Sequence, residues 1–305
     1  MKTIARIFIG LFVFGCIIVS SCKRDSATEV KESILKGTAT VIVDETVQPM
    51  LEDQAAVFES QYPGRIKLVN KPEAEAINEL ISDNSRIIIL SRKLTEEEET
   101  YYRKRKIIPA ITPIAVDGIA LIVNKTAKDT VIDLQEVIDF IQGKTSKIKK
   151  LVFDNPNSST LRYVKGIAGV DKEANSNVTA LKSNNEVIEY IAGHDDAIGV
   201  VGVNWITQPS TQMKKHTDKI TVLSVKNVKN KKGSEGYYKP SQSNLSEGLY
   251  PLSRELYLLN YQGIDGLGMG FASFVAGDIG QRIILKSGLL PVRIPPRQII
   301  LRNNI

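Results

Sequence analysis

Only two cysteines, two histidines and one tryptophan occur in 305 residues. So few thiols and imidazoles exclude a disulfide framework, an iron–sulfur centre and a Cys/His zinc site. The 12 prolines and 21 glycines are near ordinary usage, which excludes collagen-like repeats and long low-complexity linkers. The longest apolar run, 7–19, has 13 residues, far short of the roughly 20 needed to cross a bilayer as a helix. Catalytic signatures are missing too. No G-x-S-x-G elbow occurs, and Gly143-Lys144-Thr145-Ser146 lacks the P-loop glycine five positions earlier, where Ile138 stands. The Gly263–Gly270 segment is glycine-dense without dinucleotide-binding spacing. His194-Asp195-Asp196 reads as a polar turn, His216 as solvated, and the acidic run 96–99 as a helix opening. No catalytic, metal or cofactor site is expected.

What is present describes a soluble body. Hydrophobic residues make up 42% and charged residues 24%, a globular composition, and the length suits two α/β domains. The net charge of +6 is dispersed. The lysine-rich stretches 144–150 and 214–232 lack the interleaved aromatics that stack bases, so nucleic acid is not an expected partner.

Residues 1–21 have the proportions of an export signal: Lys2 and Arg6, the apolar run, then Ser20-Ser21. Val19-Ser20-Ser21-Cys22 resembles the lipobox of bacterial lipoproteins, which implies lipidation of Cys22 and loss of Cys16 with the leader. Removing Lys2 and Arg6 lowers the charge from +6 to +4. Residues 22–37 read as a flexible tether. The mature protein is therefore expected outside the cytoplasm, lipid-anchored to a bacterial membrane.

From 38 onward, β-branched runs alternate with amphipathic stretches. Strands are expected over 38–43, 65–69 and 86–90, and helices over 49–61, 73–82 and 95–103, a parallel βαβ arrangement. An extended stretch, 107–123, reads as a crossing between domains. A second set has helices over 134–141, 160–167 and 184–192 and strands over 149–153, 197–201 and 220–225. The polar segment 226–247 precedes a second extended crossing, 250–259. Helices over 267–276 and 278–286 and an extended tail, 290–301, complete the chain. Lobe I is thus 38–117 with 250–305, and lobe II is 118–249. Ligands of open α/β sheets bind where strand ends and helix starts converge.

Two turns place hydroxyl residues at helix starts, where free N–H groups and the dipole favour an anion. These are Asp44-Glu45-Thr46-Val47 and Asn157-Ser158-Ser159-Thr160; a third turn carries Ser91-Arg92.

Thr46-Val47-Gln48-Pro49 and Ser158-Ser159-Thr160 resemble the two ligand-binding turns of the phosphate-binding proteins of bacterial phosphate ABC importers. Further echoes are Ala120-Leu121-Ile122-Val123-Asn124, Ile198-Gly199-Val200-Val201, Tyr250-Pro251-Leu252-Ser253 and the segment from Gly280-Gln281-Arg282 to Gly288-Leu289-Leu290-Pro291. The resemblance implies a two-lobe type II periplasmic-binding-protein fold with two extended hinge crossings. It further implies a monomeric carrier without enzymatic activity that hands phosphate or a similar oxyanion to an ABC permease. Thr46, Val47, Ser91, Ser158, Ser159 and Thr160 would line the site. Departures are equally specific. The family's usual arginine, four residues before its Ser-Gly-Thr, is Asp154 here, and its usual aspartate is Arg92. A cation and a carboxylate have thus exchanged lobes, with Arg92 expected to grip the anion. Asp154 or Glu45 would accept the proton that phosphate carries and sulfate lacks. Binding at about 1 μM requires roughly −8 kcal/mol, so several charge-assisted hydrogen bonds of about 1.5–3 kcal/mol each must converge. The same fold with another oxyanion or a carboxylate ligand, and a sensory or structural lipoprotein with no small ligand, remain alternatives.

Overall fold

The computed structural model describes residues 33–172 and 176–294. The leader, Cys22, most of the tether and the tail beyond 294 lie outside the described residues.

Strand β1 (Gly37–Asp44) leads through a single 3₁₀ turn (Glu45–Val47) into helix α1 (Gln48–Gln61). Then come β2 (Gly64–Lys71), α2 (Glu73–Ile81), β3 (Ile87–Leu90) and α3 (Glu96–Lys104). The long strand β4 (Ala110–Asn124) is followed by β5 (Val131–Asp133), α4 (Leu134–Ile141), β6 (Leu151–Phe153) and α5 (Ser159–Ala168). Next are β7 (Val178–Ala180), α6 (Asn184–Gly193), β8 (Ile198–Gly202), α7 (Asn204–Thr207) and α8 (Lys214–Thr217). The remainder is β9 (Ile220–Val222), β10 (Ser224–Lys226), α9 (Gln242–Ser246), β11 (Ser253–Asn260), α10 (Leu267–Ala276), α11 (Asp278–Lys286) and β12 (Leu290–Pro291).

One sheet runs in the order β2-β1-β3-β11-β4-β8-β6-β7, with β9 and β12 also on β4. The sheet is mixed. β1 is parallel to β2 and β3, and β6 to β7 and β8, but β4 and β11 are antiparallel to their neighbours. The expected strand 220–225 divides at Leu223 between β9 on β4 and β10 on β5.

The β-branched runs form strands because both of their faces are covered. In β1, Ala39, Val41 and Val43 pack into one core and Ile42 into another; in β3, Ile87 and Ile89 divide from Ile88 and Leu90 in the same way. In β4, Ile119 and Leu121 face a third core, and Ala120 and Ile122 a fourth.

The stretch 107–123 is mostly a single 15-residue strand. Its first part pairs with β11 and its last part with β8 and β9. Pro113 is tolerated because the β11 register shifts beside it, between Leu256 and Tyr257. The glycine-dense segment serves close packing. A Cβ on Gly268 would lie 2.2 Å from Ile87 Cδ1.

Candidate functional site

β1, buried on both faces, ends at Asp44. Its Oδ1 accepts hydrogen bonds from the Thr46 amide (3.1 Å) and the Thr46 hydroxyl (3.0 Å). This caps the turn, Val47 plugs into the core, and Pro49 enters α1 where a missing N–H is harmless. Burial pushes the Asp44 carboxyl up to about 6, against the pull of Arg254. Glu45 beside it rises to about 8, first through burial and then through repulsion from Asp154, Asp44 and Glu75.

The second helix start lies beyond β6. Ser158 caps α5 by accepting from the Leu161 amide (3.3 Å), and its Oγ is 2.9 Å from Thr160 Oγ1. The Thr160 hydroxyl donates to Asp154 Oδ1, and Asn184 donates to Asp154 Oδ2 (3.2 Å). Burial lifts the Asp154 carboxyl above the usual range, opposed first by the Thr160 hydroxyl and then by that of Ser158.

The two starts meet. Thr46 Oγ1 is 3.1 Å from Ser159 Oγ, and Arg254 Nη1 donates to Ser159 Oγ (2.8 Å). Because the Thr46 hydrogen is directed at Asp44, the chain is ordered: Arg254 donates to Ser159, Ser159 to Thr46, and Thr46 to Asp44. Arg254 Nη1 also donates to Ser91 Oγ (3.3 Å). Its Nε donates to Asp117 Oδ2 (3.0 Å), and Nη2 lies 2.9 Å from the same oxygen without hydrogen-bond alignment. Burial opposes the Arg254 charge, yet Asp117 and then Asp44 hold it above the usual arginine value.

Thr46, Val47, Ser91, Ser158, Ser159, Thr160 and Asp154 are all buried, with Glu45 half-buried beside them. Arg92 is directed elsewhere. Its Nε donates to Glu73 (2.9 Å), its two terminal nitrogens donate to Glu98 (2.7 Å each), and Nη1 also donates to Lys93 O. Those acidic partners hold the Arg92 guanidinium, and it is Arg254 that reaches the Ser91 and Ser159 hydroxyls.

The sequence carries a signal for Arg254. Residues 254, 256 and 258 share a strand face, and the other two are Leu256 and Leu258, so Arg254 had to enter the interior. Asp117 similarly interrupts an apolar strand, and it stands directly opposite Arg254 in the β4–β11 register.

Other contacts join the same elements. Arg162 on α5 donates to both Glu73 oxygens (2.6 and 3.0 Å), and the Ala74 amide to Asn157 O (3.3 Å). Trp205 Nε1 donates to Thr46 O (2.7 Å). Asp44 Oδ2, Asp117 Oδ1 and both amide atoms of Asn204 are buried without hydrogen-bond partners. The sequence motifs set aside earlier stay apart: His194 stacks on Tyr190 with ring centroids 3.8 Å apart, and Glu98 completes a capping box with Thr95. Among the described residues, no cluster of three or more His, Cys, Asp or Glu is placed to hold a metal, and no helix is long and apolar enough to cross a membrane.

Residues 28–278 match the family model described as PBP superfamily domain. The chain is 22% identical to the phosphate-binding protein PstS of Pseudomonas aeruginosa over 290 residues, covering 86% of this chain and 85% of the relative. Its fold is similar to that of an ABC-type phosphate transport receptor from Vibrio cholerae (TM-score 0.62, 17% identity, 83% of this chain and 99% of that one). It is also similar to a Clostridium perfringens protein assigned as a phosphate ABC transporter substrate-binding protein and solved with bound phosphate. There the TM-score is 0.68 at 20% identity, with 84% of this chain and 100% of that one covered.

Proposed function

The chain belongs to the PBP superfamily, and from that premise we propose that it captures phosphate between its two lobes outside the cytoplasm and delivers it to an ABC permease. The lobes are 38–117 with 250–305, and 118–249. Cys22 carries the lipid anchor, and no bond chemistry is involved.

The observation that carries this reading is the approach of Thr46 Oγ1 to Ser159 Oγ at 3.1 Å, with Arg254 beside them. Two helix starts and a guanidinium supply donors for anion oxygens. Serine and threonine hydroxyls can rotate away from one another toward a ligand. Asp44 Oδ2, buried and without a partner, offers an acceptor to a ligand hydroxyl, which monohydrogen phosphate has and sulfate does not. The related proteins named above are phosphate-binding transport proteins, which supports the same choice.

Calorimetric titration of the full-length chain in detergent with inorganic phosphate, with and without excess sulfate, tests it. Saturable binding that sulfate does not displace is expected. No heat up to millimolar phosphate would refute it. The buried carboxylates Asp44 and Asp154 favour one rival, a different proton-bearing anion in the same site, and a competition panel of oxyanions and carboxylates separates the two.

A further inference from the structure

Arg254 and Asp117 face each other on β11 and β4, the two strands that carry the chain between its halves. The arginine side chain is 2% exposed and the aspartate is fully buried. A pair buried only for stability is commonly replaceable by apolar side chains. This one is built differently. One edge of the guanidinium, Nε and Nη2, lies on Asp117. The remaining nitrogen, Nη1, faces hydroxyls from both halves: Ser91 at the end of β3 and Ser159 at the start of α5. These hydroxyls continue to Thr46 and Asp44, and each can exchange its partner for a ligand oxygen by rotating about one bond.

The neighbouring cations are arranged otherwise. Arg92 lies on Glu73 and Glu98, and Arg162 places both Nε and Nη2 on Glu73; Arg162 Nη2 also reaches Ser91 Oγ, at 3.4 Å, but that side chain is 40% exposed whereas Arg254 is buried.

We infer that Arg254 is the anion-gripping cation of this protein and that Asp117 is its positioning residue. The ligand class is a small oxyanion that carries a proton. This rests on the oxyanion reading above. Arg254 takes over the charge that the related family places in the turn now occupied by Asp154. The cation consequently stands on the crossing strands and belongs to neither helix start. The two starts touch in this structure, so a ligand must part Thr46 from Ser159, and full coordination then brings both starts back onto a fixed guanidinium. Asp117 holds the plane of that guanidinium so that Nη1 faces the hydroxyls, a geometry that lysine cannot reproduce.

The test titrates the full-length chain in detergent with inorganic phosphate, with circular dichroism confirming the fold of each variant. Arg254→Gln should weaken binding at least about a hundredfold and Arg254→Lys at least about tenfold. Asp117→Asn should weaken it about tenfold, with partial recovery in Asp117→Glu, which a purely structural role would not produce. Arg254→Gln/Asp117→Asn removes both buried charges together, and it should stay folded while losing phosphate. Arg92→Gln should cost less than about tenfold. A folded double variant that binds like the wild type, or an Arg92→Gln that loses more affinity than Arg254→Gln, overturns the assignment. A wild-type chain without phosphate binding refutes the function proposed above and this assignment with it.

Discussion

Glu73→Gln should loosen the two halves from each other. Glu73 opens α2, is almost fully buried, and accepts from Arg92 Nε (2.9 Å), Arg162 Nε (2.6 Å), Arg162 Nη2 (3.0 Å) and Ser91 Oγ (3.4 Å). Arg162 reaches it from α5, on the other side of the shared strands. Gln keeps the shape but removes the charge, and its amide nitrogen cannot accept from a guanidinium. Charge-assisted hydrogen bonds contribute about 1.5–3 kcal/mol each. The Arg162 side chain is 40% exposed, so solvent screening reduces its share. A net loss of about 2–4 kcal/mol follows, or about 4–8 °C in Tm at roughly 2 °C per kcal/mol for a body of this size. Thermal unfolding followed by circular dichroism measures it. Fluorescence of Trp205, the only tryptophan, whose indole donates to Thr46 O, reports the neighbouring contact. Phosphate affinity should fall by about tenfold, because binding must then also close the site. A Tm within 1 °C of wild type would refute the argument that Glu73 latches the halves.

Other outcomes follow from the same geometry. Ser159→Ala breaks the chain from Arg254 to Thr46 and should lower phosphate affinity at least about tenfold by calorimetry. Glu45→Gln should stabilise the fold near pH 8.5 and change little near pH 5. The folded carboxyl, desolvated by burial and faced by Asp154, Asp44 and Glu75, holds its proton up to about 8. The unfolded one releases it near the ordinary value, so wild-type stability is lost as pH rises between the two. The partial exposure of Glu45 limits the gain to about 1–2 kcal/mol, read as paired denaturant midpoints at the two pH values. Gly202→Ala would put a Cβ 2.8 Å from Asn204 Oδ1 and 3.1 Å from Thr46 O. Overpacking there should cost about 1–3 kcal/mol and shift the Trp205 emission; an unchanged spectrum with unchanged Tm would show that the contact yields freely. Cys22→Ser should move the protein from the membrane fraction to the soluble one, as fractionation and blotting would show.

The sequence by itself determined what local chemistry can decide. β1, β3, α4, α10 and α11 were readable because β-branched runs and helical periodicity act over a few residues, and the helix starts at Thr46 and Ser158 because a cap bonds to amides two or three positions away. Tertiary structure decided where charges find partners. Arg92 sits one residue from a hydroxyl of the site, yet its guanidinium turns to Glu73 and Glu98, the latter in an acidic run that reads as ordinary helix-opening surface. Arg254 lies 163 residues from Ser91 and 95 from Ser159, and only the β4–β11 register sets it opposite Asp117. Coulombic partners are chosen by distance in space, which follows from strand order and register. A hydroxyl cap, by contrast, is chosen by distance along the chain.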